Sequence, residues 1–311
     1  MGLILTLTVN PAIDRNVNAD RLVFEDRAYI LDTSEGPGGR GINASMVIHS
    51  FGGKTIAIAT AGGDSGECLK QFMLDKGFPM QWVPIANNIR TNLTITDQHG
   101  LTVKLNEAGP QVSAEECNQI AAAVRKRLPK VKWLMLCGSL APGMPNDFYA
   151  GLVEDARNAG VQTLLDTDGD ALREGLEANP TIVTPNQQEA ERLLNRVLLT
   201  RSHYIDAVER IQQLGSQQVL LSLGSRGALG MMGERIWESV PPRIDAVCPI
   251  GAGDAMAAAF VWARHKNKEF WESLRWAVAA GTASTRLPGV VFASMEQTKE
   301  IYKKVEVRPI R

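Results

Sequence analysis

Short apolar runs rich in β-branched residues alternate along this chain with longer stretches of helical periodicity, and no other feature restricts its fold as much. Strands covered on both faces read as continuous apolar runs, and a helix between successive strands lets them lie parallel. The strand candidates are Leu3 to Val9, Thr55 to Thr60, Trp133 to Cys137, Val161 to Asp166, Thr181 to Thr184 and Val219 to Leu223. Between them the pattern gives helices over Ile42 to Phe51, Glu67 to Lys76, Ala114 to Arg127, Asp147 to Ala159 and Tyr204 to Leu214. The last third reads as mainly helical, including Ala252 to Arg264 and Phe270 to Thr285. The expected class is α/β, with three αβα layers around a mainly parallel sheet.

Two stretches break the alternation, about 13–33 and 84–107. In the second, NLTITD, then Gln98-His99-Gly100, then LTVKLN reads as a β-hairpin. Together they predict a small separate sheet. Placed over the carboxyl ends of the main strands, where open α/β sheets bind ligands, it would form a lid that excludes water. No repeat or linker divides the chain further, so 1–311 reads as one domain with this inserted lid.

Composition narrows the function. A net charge of -1 lacks the basic footprint of a nucleic-acid binder, so no such partner is expected. Cys68, Cys117, Cys137 and Cys248 are widely spaced and form no CxxC or Cys/His cluster, which reads as reduced thiols in a cytoplasmic protein. No apolar run is long enough to span a membrane. Met1-Gly2-Leu3-Ile4-Leu5-Thr6 fits a loose myristoylation pattern, but LILTLTV reads as a buried first strand. Asn43-Ala44-Ser45 and Asn92-Leu93-Thr94 fit the glycosylation sequon without a signal peptide to expose them to it.

The segment richest in chemistry is Pro249-Ile250-Gly251-Ala252-Gly253-Asp254-Ala255-Met256, which opens the helical AAAFVWARH. Small residues at a helix start leave unpaired N–H groups and the positive dipole end facing outward, an arrangement that binds phosphate. Asp254 would take a proton from a substrate hydroxyl while the amides of Ala252, Gly253 and Asp254 hold developing phosphoryl charge. A plain glycine turn with an acidic first helical turn is the competing reading. Gly52-Gly53-Lys54-Thr55 ends like a P-loop, but Ile48 stands where its first glycine belongs and a strand follows. None of His49, His99, His203 and His265 lies in a motif, so a carboxylate must carry the mechanism.

These residues, in order along almost the whole chain, resemble the PfkB or ribokinase-like carbohydrate kinase family: TLTVNPAID at 6–14, GGRGIN at 38–43, CGSLAPGMP at 137–145, TPNQQEAE at 184–191, SLGSRGAL at 222–229 and GAGDAM at 251–256. Within it the chain is most similar to the phosphofructokinase and tagatose-phosphate kinase branch. The resemblance implies the ribokinase-like fold, ATP with Mg2+, and a ketohexose monophosphate as acceptor. A kinase of an unphosphorylated sugar or nucleoside, and a sugar-phosphate sensor without turnover, are the alternatives. It implies that Asp14 accepts hydrogen bonds from sugar hydroxyls, and that Gly38, Gly39, Arg40 and Asn43 contact the same sugar. Relatives frequently carry Lys or Gly where Arg40 stands. Arg90 would bind the phosphate already on the substrate, with Arg27 and Lys104 as further lid cations and Ser139 beside them. Asn186 and Glu189 match the family's NxxE motif, Glu189 reaching magnesium through water; on residues alone they equally form a helix capping box. Ser222, Gly224 and Gly227 would line the nucleotide, and Gly251 belongs with Ala252, Gly253 and Asp254 in the catalytic turn. Lids in this family often pair, and Ile89, Leu93 and Ile95 would permit a homodimer.

Overall fold

The computed structural model describes residues 2–289 and 291–310. The chain lays down β1 (Leu3–Thr8), then β2 (Ala12–Ala19) and β3 (Ile30–Gly38), and returns through α1 (Arg40–Ser50) to β4 (Thr55–Ala61). α2 (Gly63–Met73) and β5 (Met80–Pro84) precede the hairpin of β6 (Arg90–Asp97) and β7 (Thr102–Asn106). Next come α3 (Ala114–Arg125), β8 (Val131–Cys137), α4 (Phe148–Asn158), β9 (Gln162–Asp166), α5 (Gly169–Glu177) and β10 (Ile182–Val183). They are followed by α6 (Gln187–Leu194), α7 (Arg201–Gln213), β11 (Gln218–Ser222), β12 (Ala228–Met232) and β13 (Arg235–Val240). α8 (Ala252–His265), α9 (Phe270–Ser284), α10 (Met295–Tyr302) and β14 (Glu306–Pro309) complete the chain.

Among the described residues the main sheet runs β14-β13-β12-β11-β10-β9-β8-β1-β4-β5. Its strands from β5 to β11 are parallel, and β12, β13 and β14 extend it antiparallel. Side-chain alternation divides the core between two helical layers. Leu134 and Leu136 of β8 join the layer of α3 to α7, while Trp133, Met135 and Cys137 point into the layer of α1, α8 and α9. All five are almost fully buried, and truncating such a leucine to alanine typically costs about 2–5 kcal/mol.

The expected strands and helices are present to within a few residues, and helix predominates in the last third through α8, α9 and α10, but that third also holds the unforeseen strands β12, β13 and β14. β12 and β13 form a tight hairpin around Gly233 (φ 60°), and β14 returns after α10 to pair with β13. The small sheet is also larger than 13–33 and 84–107 suggest. Ordered β3-β2-β6-β7, it uses Ala12–Ala19 and Ile30–Gly38, so β3 runs into the glycine segment. Gly36 and Pro37 disguise that strand; as an edge strand it tolerates both. Among the described residues no helix is long and apolar enough to cross a membrane, and the four cysteines are free.

Candidate active site

A cavity of about 450 Å³ opens between the carboxyl ends of the main strands and the inner face of the small sheet. The main sheet contributes Thr8 ending β1, Ser139 after β8, Asp166 ending β9, Asn186 after β10 and Ser222 ending β11; the small sheet contributes Asp14, Arg90, Asn92, Lys104 and Asn106. Parallel strands all end on this side, so residues far apart in sequence converge there.

Asp254 lines the cavity from the first turn of α8. Gly251, in the left-handed region at φ 77°, turns the chain so that α8 begins at Ala252, and the first helical bond is that of Ala255 N–H to the Gly251 carbonyl (2.9 Å). The amides of Gly253 and Asp254 precede that bond and are left for an anion. The Ala252 amide is not: it donates to the Pro249 carbonyl at 3.3 Å, and Ala252 stands off the cavity wall. A Cβ built on Gly253 meets nothing within 4 Å because it would project into open space. Gly253→Val is therefore expected to fold normally but to raise KM for ATP and cut kcat by about 10²-fold, the effect of obstructing one transition-state anion contact. Normal ATP kinetics in that variant would remove the turn from the phosphate site.

Asn43 of α1 donates from Nδ2 to Asp254 Oδ2 at 2.7 Å and orients the carboxylate. Burial, then the nearby Asp166 carboxylate, pushes the Asp254 pKa up to about 7, against the pull of Asn43 and Arg40. A carboxylate titrating near neutrality suits general base work.

On the lid side, Asp14 accepts from Asn92 Nδ2 at 2.8 Å; the two lie in register on adjacent strands. Burial raises the Asp14 pKa, with Asn92 and Arg90 opposing. Gly38 does not line the cavity itself. A Cβ there would fall 2.4 Å from Asp14 Oδ1, so its bare backbone makes room for that carboxylate. Gly39 (φ 136°) leads into α1, where Thr8 Oγ1 accepts from the Ile42 amide at 3.1 Å. Arg90 Nη1 donates to the Glu107 carbonyl at 3.0 Å, while its buried Nε has no partner among the described residues. Asn10 Nδ2 donates to the carbonyls of Ala108 (2.9 Å) and Leu140 (3.3 Å) and weakly to Ser139 Oγ (3.4 Å), tying the lid's end to the loop after β8.

On the other side, Asn186 and Glu189 do form the capping box of α6: Glu189 N–H donates to Asn186 Oδ1 and Asn186 N–H to Glu189 Oε2, both at 2.9 Å. The same glutamate also meets the guanidinium of Arg40. Arg40 Nη1 lies 3.1 Å from Asp166 Oδ1, and its Nη2 lies 3.2 Å from both Asp168 Oδ2 and Glu189 Oε1. The acids hold the Arg40 pKa above the usual arginine range, with Asp166 contributing most.

This arrangement of a base between a lid with a free guanidinium N–H and a helix start with open amides coincides with a family match. The model of the pfkB family carbohydrate kinases covers residues 7–298. The chain belongs to that family. It is 31% identical to the ATP-dependent 6-phosphofructokinase isozyme 2 of Escherichia coli K12 over 305 residues, covering 97% of this chain and 98% of that one. It is 25% identical to the 1-phosphofructokinase of Vibrio cholerae over 304 residues, covering 98% and 96%. The crystal structure of the Escherichia coli phosphofructokinase-2 in complex with fructose-6-phosphate matches with a TM-score of 0.89 and 30% identity, covering 98% of this chain and 99% of that one. The three-layer body with its separate small sheet is thus the ribokinase-like fold of an ATP-dependent carbohydrate kinase.

In this pfkB chain the cavity gathers Asp14, Gly39, Arg40, Asn43, Arg90, Lys104, Ser139, Asn186, Glu189, Ser222, Gly251, Gly253 and Asp254. It does not gather Arg27, which lies in the exposed turn between β2 and β3. Gly224 and Gly227 also stand outside the wall. Gly227 has a structural reason: a Cβ there would meet the Ser239 carbonyl oxygen at 2.0 Å. The sequence reading passed over Asn10, Asn92, Asn106, Asp166 and Asp168. Asn10 belongs to the quoted TLTVNPAID, and the two aspartates end and follow a strand whose carboxyl end faces the ligand side, a usable signal.

Proposed function

We propose that this kinase transfers the γ-phosphate of ATP to a free hydroxyl of fructose monophosphate, yielding the bisphosphate and ADP. The observation that carries the reading is Asp254, held between the Asp14 and Arg90 wall and the open amides of α8. The relatives named for fructose phosphates support this acceptor, and they include both 6-phosphofructokinase and 1-phosphofructokinase. Asp14, with Asn43, binds the hydroxyls of the sugar, and Arg90 with Lys104 binds its existing phosphate. Asp254 takes the proton of the acceptor hydroxyl as that oxygen bonds to the γ-phosphorus and the bond to the β,γ-bridging oxygen breaks. The amides of Gly253 and Asp254 hold the charge on the phosphoryl oxygens. The nucleotide runs past Ser222 toward the turn at Gly224, and closure of the small sheet keeps water out.

The site fits magnesium carried on the nucleotide and reached through water. Both Glu189 oxygens are already engaged, and among the described residues no group of three or more His, Cys, Asp and Glu forms a metal cage. Magnesium keeps several of its waters, so Asn186 and Glu189 would act on those waters. When bound, the ion supplies positive charge at the phosphates.

Coupled ADP release with each fructose monophosphate, with the product identified by phosphorus NMR, tests the function. Binding of sugar phosphate with no ADP release would instead mark a sensor.

The kinase is also proposed to self-associate through the outer face of the lid, where Val17, Leu22, Tyr29, Ile30, Leu93 and Ile95 line an apolar groove. Ile89 does not belong to that face, because it is buried against α1 and α2. Leu93→Asp is expected to shift the sedimentation mass to the monomer; an unchanged assembly would exclude this face. Its free thiols and use of ATP accord with a cytoplasmic enzyme.

A further inference from the structure

Arg40 occupies an unusual place. It is the first residue of α1, where the helix dipole disfavours a cation. Three carboxylates from other elements offset that cost: Asp166 at the end of β9, Asp168 at the N-cap of α5 and Glu189 in the first turn of α6. Two of them sit where helix starts favour anions, so these acids are held by their own elements as well as by the guanidinium. Arg40 spends both terminal nitrogens on the three, Nη2 shared between two, and lies about a third exposed on the cavity wall beside Asp254.

We propose that Arg40 is a built-in counter-cation that occupies the carboxylates of the nucleotide half, so that the enzyme takes up a divalent ion only together with nucleotide. This deepens the kinase reading above and rests on it. A divalent ion without nucleotide needs carboxylate oxygens, and here Asp166, Asp168 and Glu189 each already give one to a guanidinium that cannot lose its proton. Yet one positive charge does not neutralise three acids. The surplus negative charge repels bare nucleotide and favours a nucleotide whose phosphates already carry a cation. Arg40 acts here as a positioning residue, through the acids it holds.

The test uses Mn2+ as the probe, read by the loss of its free electron-spin-resonance signal on addition of nucleotide-free enzyme. The wild type is expected to bind Mn2+ weakly alone and well when a non-hydrolysable ATP analogue is added. Arg40→Gln removes the charge and frees the carboxylates, so Mn2+ alone should bind at least about tenfold more tightly. Arg40→Lys keeps the charge and should stay near wild type in this measurement. Arg40→Gln combined with Asp168→Asn relieves repulsion among the unpaired acids and serves if the single variant does not fold; it should still bind Mn2+ better than wild type. Tight Mn2+ binding by nucleotide-free wild type, or no gain in the folded Gln variants, would overturn the proposal. Because no sugar enters the measurement, its failure is distinct from failure of the fructose phosphate reading, which ADP release decides.

Discussion

Asp254→Asn is expected to lower kcat by about 10²- to 10⁴-fold while ATP affinity stays largely intact, because the amide keeps the shape of the site and the Asn43 contact but cannot accept the proton. The pH dependence follows from the same group. With its pKa raised to about 7, Asp254 is protonated below that pH and is no longer a base, so wild-type kcat/KM should fall about tenfold per pH unit on the acid side. A stability effect of opposite sense accompanies it. An aspartate whose folded pKa lies above its ordinary 3.8 stabilises the fold in its protonated form, and that contribution is lost as pH rises through about 7. Asp254→Asn should therefore melt higher than wild type at pH 8, with the advantage shrinking as pH falls toward 3.8. Steady-state kinetics and thermal melts at several pH values check both effects. Near-normal turnover in the variant would remove Asp254 from the mechanism.

Arg90→Ala is expected to weaken binding of the phosphorylated sugar by about 10- to 100-fold, since a charge-assisted hydrogen bond to phosphate contributes roughly 1.5–3 kcal/mol. The geometry supports a reader of phosphate at this point. The Glu107 carbonyl fixes one terminal nitrogen, the Glu107 carboxylate in turn accepts from the Thr91 amide at 2.8 Å, and the buried Nε has no partner among the described residues. Arg90→Lys should recover only part of the loss, because an ammonium restores charge without the planar two-point contact. KM for ATP should scarcely change, since Arg90 lies on the lid side of Asp254. If the preference for phosphorylated over free sugar survived in Arg90→Ala, phosphate recognition would pass to Lys104 or Arg40, the other cations on the cavity wall.

The parallel half of the fold was legible because its strands are continuous apolar runs separated by helical periods. The antiparallel half was not. β12 is ALGMM and β13 is RIWESV, short segments whose pairing is set by a hairpin and by the returning β14. β3 carries Gly and Pro and reads as a loop, although it holds Gly38 against Asp14. The site was legible where a motif is local, as in the Gly251 to Asp254 turn. It was illegible where function arises from convergence. Arg40 lies inside the quoted GGRGIN segment but 126 residues from Asp166, and only the topology shows that they meet. The same limit hid the bond of the Ala252 amide to the Pro249 carbonyl and the close approach of Gly227 to the Ser239 carbonyl. Glu189 shows that two readings of one residue need not compete: it caps α6 with one oxygen and meets Arg40 with the other.

On the proposed reading, Asp254 serves a sugar that already carries a phosphate. The most direct measurement is the ratio of wild-type kcat/KM for fructose 6-phosphate and for fructose 1-phosphate to that for free fructose, under saturating ATP and magnesium. Binding energy from the remote phosphate aligns the acceptor hydroxyl, so at least one monophosphate should be preferred by about 10²-fold or more. Equal use of free fructose would contradict the account.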